Sequence, residues 1–212
     1  MIFYTHEEEI ANTITHGLGI LFSVAGLVVL VVFAVMNGTA IHIVSCSIYG
    51  MSLVLMYSTS TLYHMARRPS LKRVLRILDH SAIYILIAGT YTPFSLLVLK
   101  GGWGWTVFGI AWGLAIIGLA HKALFMGRYP ILSVLIYICM GWIILVAVKP
   151  LFNVFYGWGL TLLVAGGIVY TLGIIFYAMR KMPYNHAVWH LFVLGGSILQ
   201  YCSLLFFVIM KG

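Results

Sequence analysis

Long apolar stretches alternate with short polar connections along the 212-residue chain, and the alternation repeats seven times. Each stretch has about 18 or more residues, which is the length that a helix needs to cross a bilayer. Only helices and closed barrels satisfy their backbone hydrogen bonds in lipid. The pattern therefore predicts an all-α integral membrane protein with seven spans. The predicted spans are Gly17–Met36, Ile41–Tyr63, Ile77–Leu99, Trp103–Ala120, Ile131–Val148, Tyr156–Met179 and Val188–Met210.

The connections between the apolar stretches are too short to fold as domains of their own. We therefore predict a single seven-helix membrane domain over residues 1–212, preceded within that range by a short polar N-terminal segment at residues 1–16. The predicted connections are Asn37–Ala40, Met65–Arg76, Lys100–Gly102, Lys122–Tyr129, Lys149–Phe155 and Arg180–Asn185.

Basic residues are distributed unequally between the two sides of the predicted bundle. Three lie on the side opposite the N-terminus: Lys100, Lys149 and Lys211. Nine lie in connections on the N-terminal side: Arg67, Arg68, Lys72, Arg73, Arg76, Lys122, Arg128, Arg180 and Lys181. Because basic connections stay inside, we predict a cytoplasmic N-terminus, an external C-terminus and a multi-pass protein of the bacterial plasma membrane.

Composition supports the membrane assignment and limits the partners. The chain is 63% hydrophobic and 8% charged, whereas soluble domains have about 25% charged residues. Its net charge of +8 suits the anionic lipids of the cytoplasmic leaflet, so we expect membrane lipids rather than nucleic acid as partners. The three cysteines are scattered within apolar stretches, which is typical of neither a disulfide framework nor a thiolate metal site. The oligomeric state does not follow from these features.

The start of the last span carries a pair of histidines. His186 and His190 are four residues apart, so on a helix their imidazoles lie on one face, one turn apart. Pro183 cannot continue the preceding helix, and Asn185 is a favourable N-cap that would fix where the last helix begins. Two stacked imidazoles are half of a typical zinc site and require a third ligand from elsewhere.

The predicted topology brings further polar residues to the same depth of the membrane. His64 ends the second span, Asp79 opens the third, and His16 opens the first, all on the N-terminal side. Asp79 is the only acidic residue within the apolar body, and such residues normally face the interior of a bundle and have a partner. Ser60 lies one turn before His64 on the same face. His42, His80 and His121 are interpreted as interfacial residues.

These residues are consistent with a zinc site made by His64, His186 and His190, although copper, cobalt or nickel also accept three imidazoles. Three histidines leave a fourth position for water, which is the catalytic pattern. Asp79 would accept a proton from that water, and Ser60 would orient the water or a carboxyl oxygen. This chemistry suits hydrolysis of a lipid amide or ester at the inner leaflet. The alternative is a structural polar network, with Asp79 stabilised at a helix N-terminus.

Three motifs together resemble the progestin and adipoQ receptor family, and most closely its bacterial branch, the hemolysin III family. The first is Glu9-x-x-Asn12-x-x-x-His16. The second is Ser60-x-x-x-His64 followed by Asp79, and the third is His186-x-x-x-His190. The resemblance covers essentially the whole chain, including seven spans and the order of the motifs.

The resemblance implies that His64, His186 and His190 bind zinc, with Asp79 and Ser60 next to the bound water. It implies a ceramidase-like hydrolase, and it marks Glu9, Asn12 and His16 as accessory residues for capping, a polar link to the site or a proton path. Two alternatives remain open. One is a non-enzymatic sensor or regulator of membrane homeostasis with a structural zinc. The other is a cytolytic, pore-forming haemolysin, which the apolar outer half of the spans disfavours.

Overall fold

The computed structural model describes residues 4–125 and 128–210, which are helical and contain no strand. Seven helical spans in this part of the chain are long and apolar enough to cross a membrane, which confirms the predicted fold class. Lys211, counted above among the basic residues, lies outside the described residues. The helices are α1 (His6–Asn37), α2 (Ala40–Met65), α3 (Pro69–Pro93), α4 (Gly101–Phe125), α5 (Pro130–Gly141), α6 (Val148–Val154), α7 (Gly157–Ala178) and α8 (Asn185–Leu204).

Helix α1 begins at His6, eleven residues before the predicted first span. Thr5 and Glu8 form a capping box: the Glu8 backbone N–H donates to Thr5 Oγ1 at 3.2 Å, and the Thr5 N–H donates to Glu8 Oε2 at 2.9 Å. The cap satisfies two backbone donors, and acidic side chains in the first turn interact favourably with the helix dipole. Most of the polar segment at residues 1–16 is therefore the first three turns of a helix rather than an extended tail.

The fifth span is built from two helices. Helix α5 ends at Gly141, a 3₁₀ segment covers Ile143–Ala147, and α6 continues to Val154. The prediction of a connection at Lys149–Phe155 is therefore wrong over most of its length. Pro150 lies in the first turn of α6, where its missing N–H has no intrahelical partner to lose, so it does not prevent a helix there.

The start of α8 also differs from the prediction. Asn185 is the first residue of α8 rather than its N-cap, which is Tyr184 in a left-handed conformation with φ 56°. The Asn185 side-chain amide instead donates to the carbonyls of Phe176 and Tyr177 at 3.2 and 3.4 Å. The amide therefore ties the start of α8 to the end of α7, and this places the two histidines of α8 directly after the turn.

The helices are arranged so that the first and the last are neighbours. Helix α1 packs against both α2 and α8, α3 packs against α2, α4 and α5, and α7 packs against α8. At Gly19, α1 approaches α2 so closely that a Cβ would lie 2.5 Å from the Tyr57 ring. The end of the bundle that carries the start of α1 and the α2–α3, α4–α5 and α7–α8 connections is called the basic end below.

Candidate metal centre

Three histidines from two helices meet inside the basic end. His64 lies in the last turn of α2, and His186 and His190 lie in the first two turns of α8. One nitrogen from each ring can be chosen so that all three lie within 4.8 Å of one another. All three residues are buried, with exposed fractions of 4%, 5% and 0%. The structure therefore brings together the three residues that the sequence predicts as metal ligands.

The nitrogen atoms of this cluster fit a metal ion. His64 Nε2, His190 Nε2 and both nitrogens of His186 are buried and make no hydrogen bond with any described residue. A buried polar atom without a partner costs about 1–3 kcal/mol, so four such atoms in one place need an explanation. Neutral imidazole nitrogens are common zinc ligands, and a metal ion at their centre would satisfy one nitrogen from each ring.

Glu9 fixes the orientation of the His64 ring. Its Oε2 lies 2.6 Å from His64 Nδ1, and its Oε1 accepts a hydrogen bond from Lys72 Nζ at 2.5 Å. Because an ionised carboxylate only accepts hydrogen bonds, Nδ1 is the protonated nitrogen and Nε2 carries the free lone pair. Carboxylates that hold a ligating histidine in this way are a recurrent feature of metal sites. Glu9 is thus the polar link to the site that the motif left undefined.

Helix α1 also contacts His190. The hydroxyl of Thr15 lies 3.0 Å from His190 Nδ1 and donates to the Ala11 and Asn12 carbonyls. A hydroxyl that donates to a carbonyl is free to accept from Nδ1–H, which leaves Nε2 of His190 for a metal. The His16 ring stacks on His190, with centroids 3.4 Å apart and an interplanar angle of 12°. The ring of His190 is therefore fixed in both tautomer and plane.

Asn12 and His16 are fully buried beside the cluster. The side-chain oxygen and nitrogen of Asn12 and both ring nitrogens of His16 make no hydrogen bond within the described chain. His16 contacts the Tyr57 ring edge-on, at 5.1 Å between centroids. The accessory residues thus differ: Glu9 contacts a histidine through its carboxylate, His16 contacts one through its ring face, and Asn12 forms no side-chain hydrogen bond with the cluster.

Asp79 and Ser60 occupy different surroundings. Asp79 is 3% exposed, lines the same cavity as His186, and lies with its Oδ2 3.2 Å from His80 Nδ1. Ser60 is 1% exposed, and its hydroxyl has no hydrogen-bond partner among the described residues. His80, interpreted above as interfacial, is therefore the neighbour of Asp79 and lines the same cavity.

The cavity next to the cluster has a volume of about 520 Å³, within the usual range for small-molecule sites. Its walls come mainly from α3, α5, α7 and α8, and most of its lining is apolar. Tyr4 covers the cluster from outside the spans: its ring lies 5.0 Å from that of His186, and burial raises the pKa of its phenol above the usual value. The hydroxyl of Tyr4 is therefore neutral at pH 7.

The sequence pattern did not point to four residues that lie near the site: Tyr4, Thr15, Lys72 and Lys122. One signal was available for α1, because residues 9, 12 and 16 are spaced as i, i+3 and i+7 and so form one polar stripe on a helix. The stripe could be recognised only if the first helix was predicted to begin near residue 6 rather than at residue 17. Lys122 was assigned to a connection, but it lies inside α4 and is 5% exposed.

Comparison with known proteins gives consistent matches along the chain. The family described as "Haemolysin-III related" matches residues 3–201. "Hemolysin-3" of Bacillus cereus is 50% identical over 96% of this chain and 93% of its own length. "Hemolysin-3 homolog" of Bacillus subtilis (strain 168) is 49% identical over 97% of both chains. The human "Monocyte to macrophage differentiation factor" is 27% identical over 93% of this chain and 83% of its own length.

Proposed function

The chain belongs to the haemolysin III family, the bacterial branch of the progestin and adipoQ receptor family, and from this premise we propose that it is a zinc-dependent lipid hydrolase. The proposed reaction is hydrolysis of an amide or ester bond of an acyl lipid at the plasma membrane. The basic end of the bundle faces the cytoplasm in this proposal, in line with the distribution of lysine and arginine.

The observation that carries the proposal is the position of the three-histidine cluster at one end of an apolar cavity. His186 and Asp79 both line this cavity, so a ligand inside it reaches a metal ligand and a carboxylate together. Apolar walls suit an acyl chain, and the buried cluster suits a bond that is cleaved away from bulk water. The number of ligands also favours catalysis, because three histidines leave one coordination position open.

A zinc ion held by His64, His186 and His190 would lower the pKa of a water molecule to about 7 and polarise the carbonyl of the lipid. The Asp79 carboxylate accepts a proton from the attacking water and returns it to the departing amine or alcohol, so that the products are a fatty acid and a head group. His80 orients the Asp79 carboxylate from 3.2 Å away. Ser60, buried one turn before His64, orients the water or the carboxyl oxygen.

Metal content and lipid turnover of the purified protein test this proposal. We expect about one zinc per chain by elemental analysis, and release of fatty acid from an acyl amide or ester lipid in detergent or nanodiscs. His186→Ala should lose both the metal and the activity, because it removes one of three ligands. His6→Ala is the matched control, since His6 is exposed in the first turn of α1 at the same end of the bundle.

Two results would contradict the proposal in different ways. Wild-type protein that contains no metal would show that the histidine cluster is not a metal site. A full complement of metal without turnover of any acyl lipid would refute the enzymatic function and favour a sensor with a structural zinc.

A further inference from the structure

We infer that the cavity takes an acyl lipid with a negatively charged head group, and that Lys122, Arg76 and Arg180 bind this charge. The inference rests on the proposed function in that it names the substrate class of the same site. Its evidence is separate, because it concerns the cationic wall of the cavity rather than the histidine cluster.

Lys122 is the main observation. It lies three residues before the end of α4, it is only 5% exposed, and it lines the cavity that also contains Asp79 and His186. Within the described chain its ammonium forms neither a hydrogen bond nor an ion pair, and it lies 5.8 Å from the centroid of the Tyr137 ring. An unpaired charge within a membrane span is costly, and such residues usually mark a functional site.

Two further cations line the same cavity. Arg76 is half-buried on α3, and Arg180 is exposed in the turn after α7. The three cations come from α4, α3 and the α7–α8 connection, and all lie at the basic end. The positive-inside rule acts on connections, so it does not explain why Lys122 is buried inside α4 at this cavity.

The described lining of the cavity contains one acidic residue, which does not neutralise these cations. That residue is Asp79, whose carboxylate lies 3.2 Å from His80 and forms no ion pair with Lys122 or either arginine. Three cations against one carboxylate leave the cationic wall with an excess of positive charge. An anionic group of a ligand would supply the missing partner, and guanidinium groups bind carboxylate and phosphate oxygens well.

The rest of the cavity is suited to the tail of such a ligand. Beyond Asp79 the lining is mostly apolar and includes Leu86 of α3, Phe94 just after α3, Leu163 of α7 and Val193 of α8. A ligand that fills it would be amphiphilic, with an acyl chain among these residues and an anionic group at the cations. The scissile carbonyl of such a ligand would lie between these two parts, next to His186 and Asp79.

A binding experiment with matched lipids tests the inference on the full-length protein in nanodiscs. The probes are 1-O-hexadecylglycerol 3-phosphate and 1-O-hexadecylglycerol, which lacks only the phosphate. Their ether bonds are not hydrolysed, so binding is measured without turnover. We expect the phosphate lipid to bind at least about tenfold more tightly than the neutral lipid, since hydrogen bonds to charged groups are the stronger ones.

Variants assign the preference to Lys122. Lys122→Gln should reduce about tenfold the preference for the phosphate lipid over the neutral lipid, and Lys122→Arg should retain this preference. Lys181→Gln is the control, since Lys181 is an exposed lysine of the α7–α8 connection that does not line the cavity. Arg76→Gln should lower the preference to a smaller extent, and it provides a second readout if Lys122→Gln does not fold.

Equal binding of the charged and the neutral lipid by wild-type protein would overturn the inference, as would an unchanged preference in Lys122→Gln. These results are distinct from failure of the proposed function, because binding is measured without turnover. Charge preference without hydrolysis would refute the hydrolase and leave the anionic site in place. Hydrolysis without charge preference would refute the anionic site and leave the hydrolase in place.

Discussion

The two sides of the histidine cluster are built differently. On one side, called the closed face because side chains of α1 occupy it, Glu9, Thr15 and His16 contact the histidines directly. On the other, called the open face, Asp79 and Lys122 line a cavity of about 520 Å³. His64 and His190 each have a hydrogen-bonded Nδ1, and in both cases the partner belongs to the closed face. His186 has no such partner in the described chain, and it is the histidine of the cluster that lines this cavity.

This difference separates two tasks that metal sites must combine. The histidine rings must be held in one orientation to bind a metal tightly, whereas the reacting side must admit the substrate. Here side chains of α1 orient the rings of His64 and His190. The cavity with walls mainly from α3, α5, α7 and α8 admits the substrate. Variants of the closed face should therefore change metal affinity, and variants of the open face should change turnover at full metal occupancy.

The largest effect is expected from Asp79→Asn on the open face. Loss of a general base typically costs 10²–10⁴-fold in rate, so hydrolysis should fall by about that factor. Metal content should stay at the wild-type level, because Asp79 is not one of the three ligands. Elemental analysis and fatty-acid release from the same preparation measure the two quantities. Loss of the metal together with the activity would show that the two faces are not separable.

An intermediate effect is expected from Glu9→Gln on the closed face. The neutral amide can no longer hold His64 Nδ1–H as a charged acceptor, and loss of such a partner typically costs 10–100-fold in metal affinity. Competition with a chelator of known affinity measures this change. Glu7→Gln is the matched control, because Glu7 is exposed two residues earlier on the same helix. Unchanged affinity in Glu9→Gln would mean that the closed face does not orient the ligands.

The smallest effect is expected from Thr15→Val. It removes one neutral hydrogen bond to His190, worth about 1 kcal/mol, so metal affinity should fall by roughly fivefold. Thr13→Val is the control, since the Thr13 hydroxyl bonds only to the Glu9 carbonyl of its own helix. A loss in Thr15→Val as large as that in Glu9→Gln would indicate that the neutral partner matters as much as the charged one.

The spans could be predicted from a strong local pattern, and the meeting of the three histidines from the order of the spans. Apolar length alone defines a membrane helix, and the alternation of spans places His64 level with His186 and His190. The same counting placed Asp79 near them. These inferences use only the order and length of the spans and not side-chain conformation, so they could be made from the sequence alone.

The remaining features were missed for different reasons. The start of α1 was missed because its first turns are polar, although Thr5 and Glu8 form a capping box, which is a local signal for a helix start. Lys122 and Asn185 were misread because their positions depend on contacts between distant residues. Lys122 looked like a residue of a connection, because hydropathy cannot tell a buried lysine at a helix end from an exposed one. Asn185 looked like an N-cap, but its amide is used by the carbonyls of α7.

The contact between the first and last helices has a consequence for biosynthesis. The Tyr184 N–H donates to Glu8 Oε1 at 3.0 Å, and Thr15 contacts His190, so residues about 175 positions apart complete the site. Translation produces α1 before α8, so His186 and His190 leave the ribosome after all the preceding helices. A chain interrupted before α8 has only one of the three histidines. In the proposed metalloprotein, acquisition of the metal would therefore mark a chain that has been synthesised and inserted through α8.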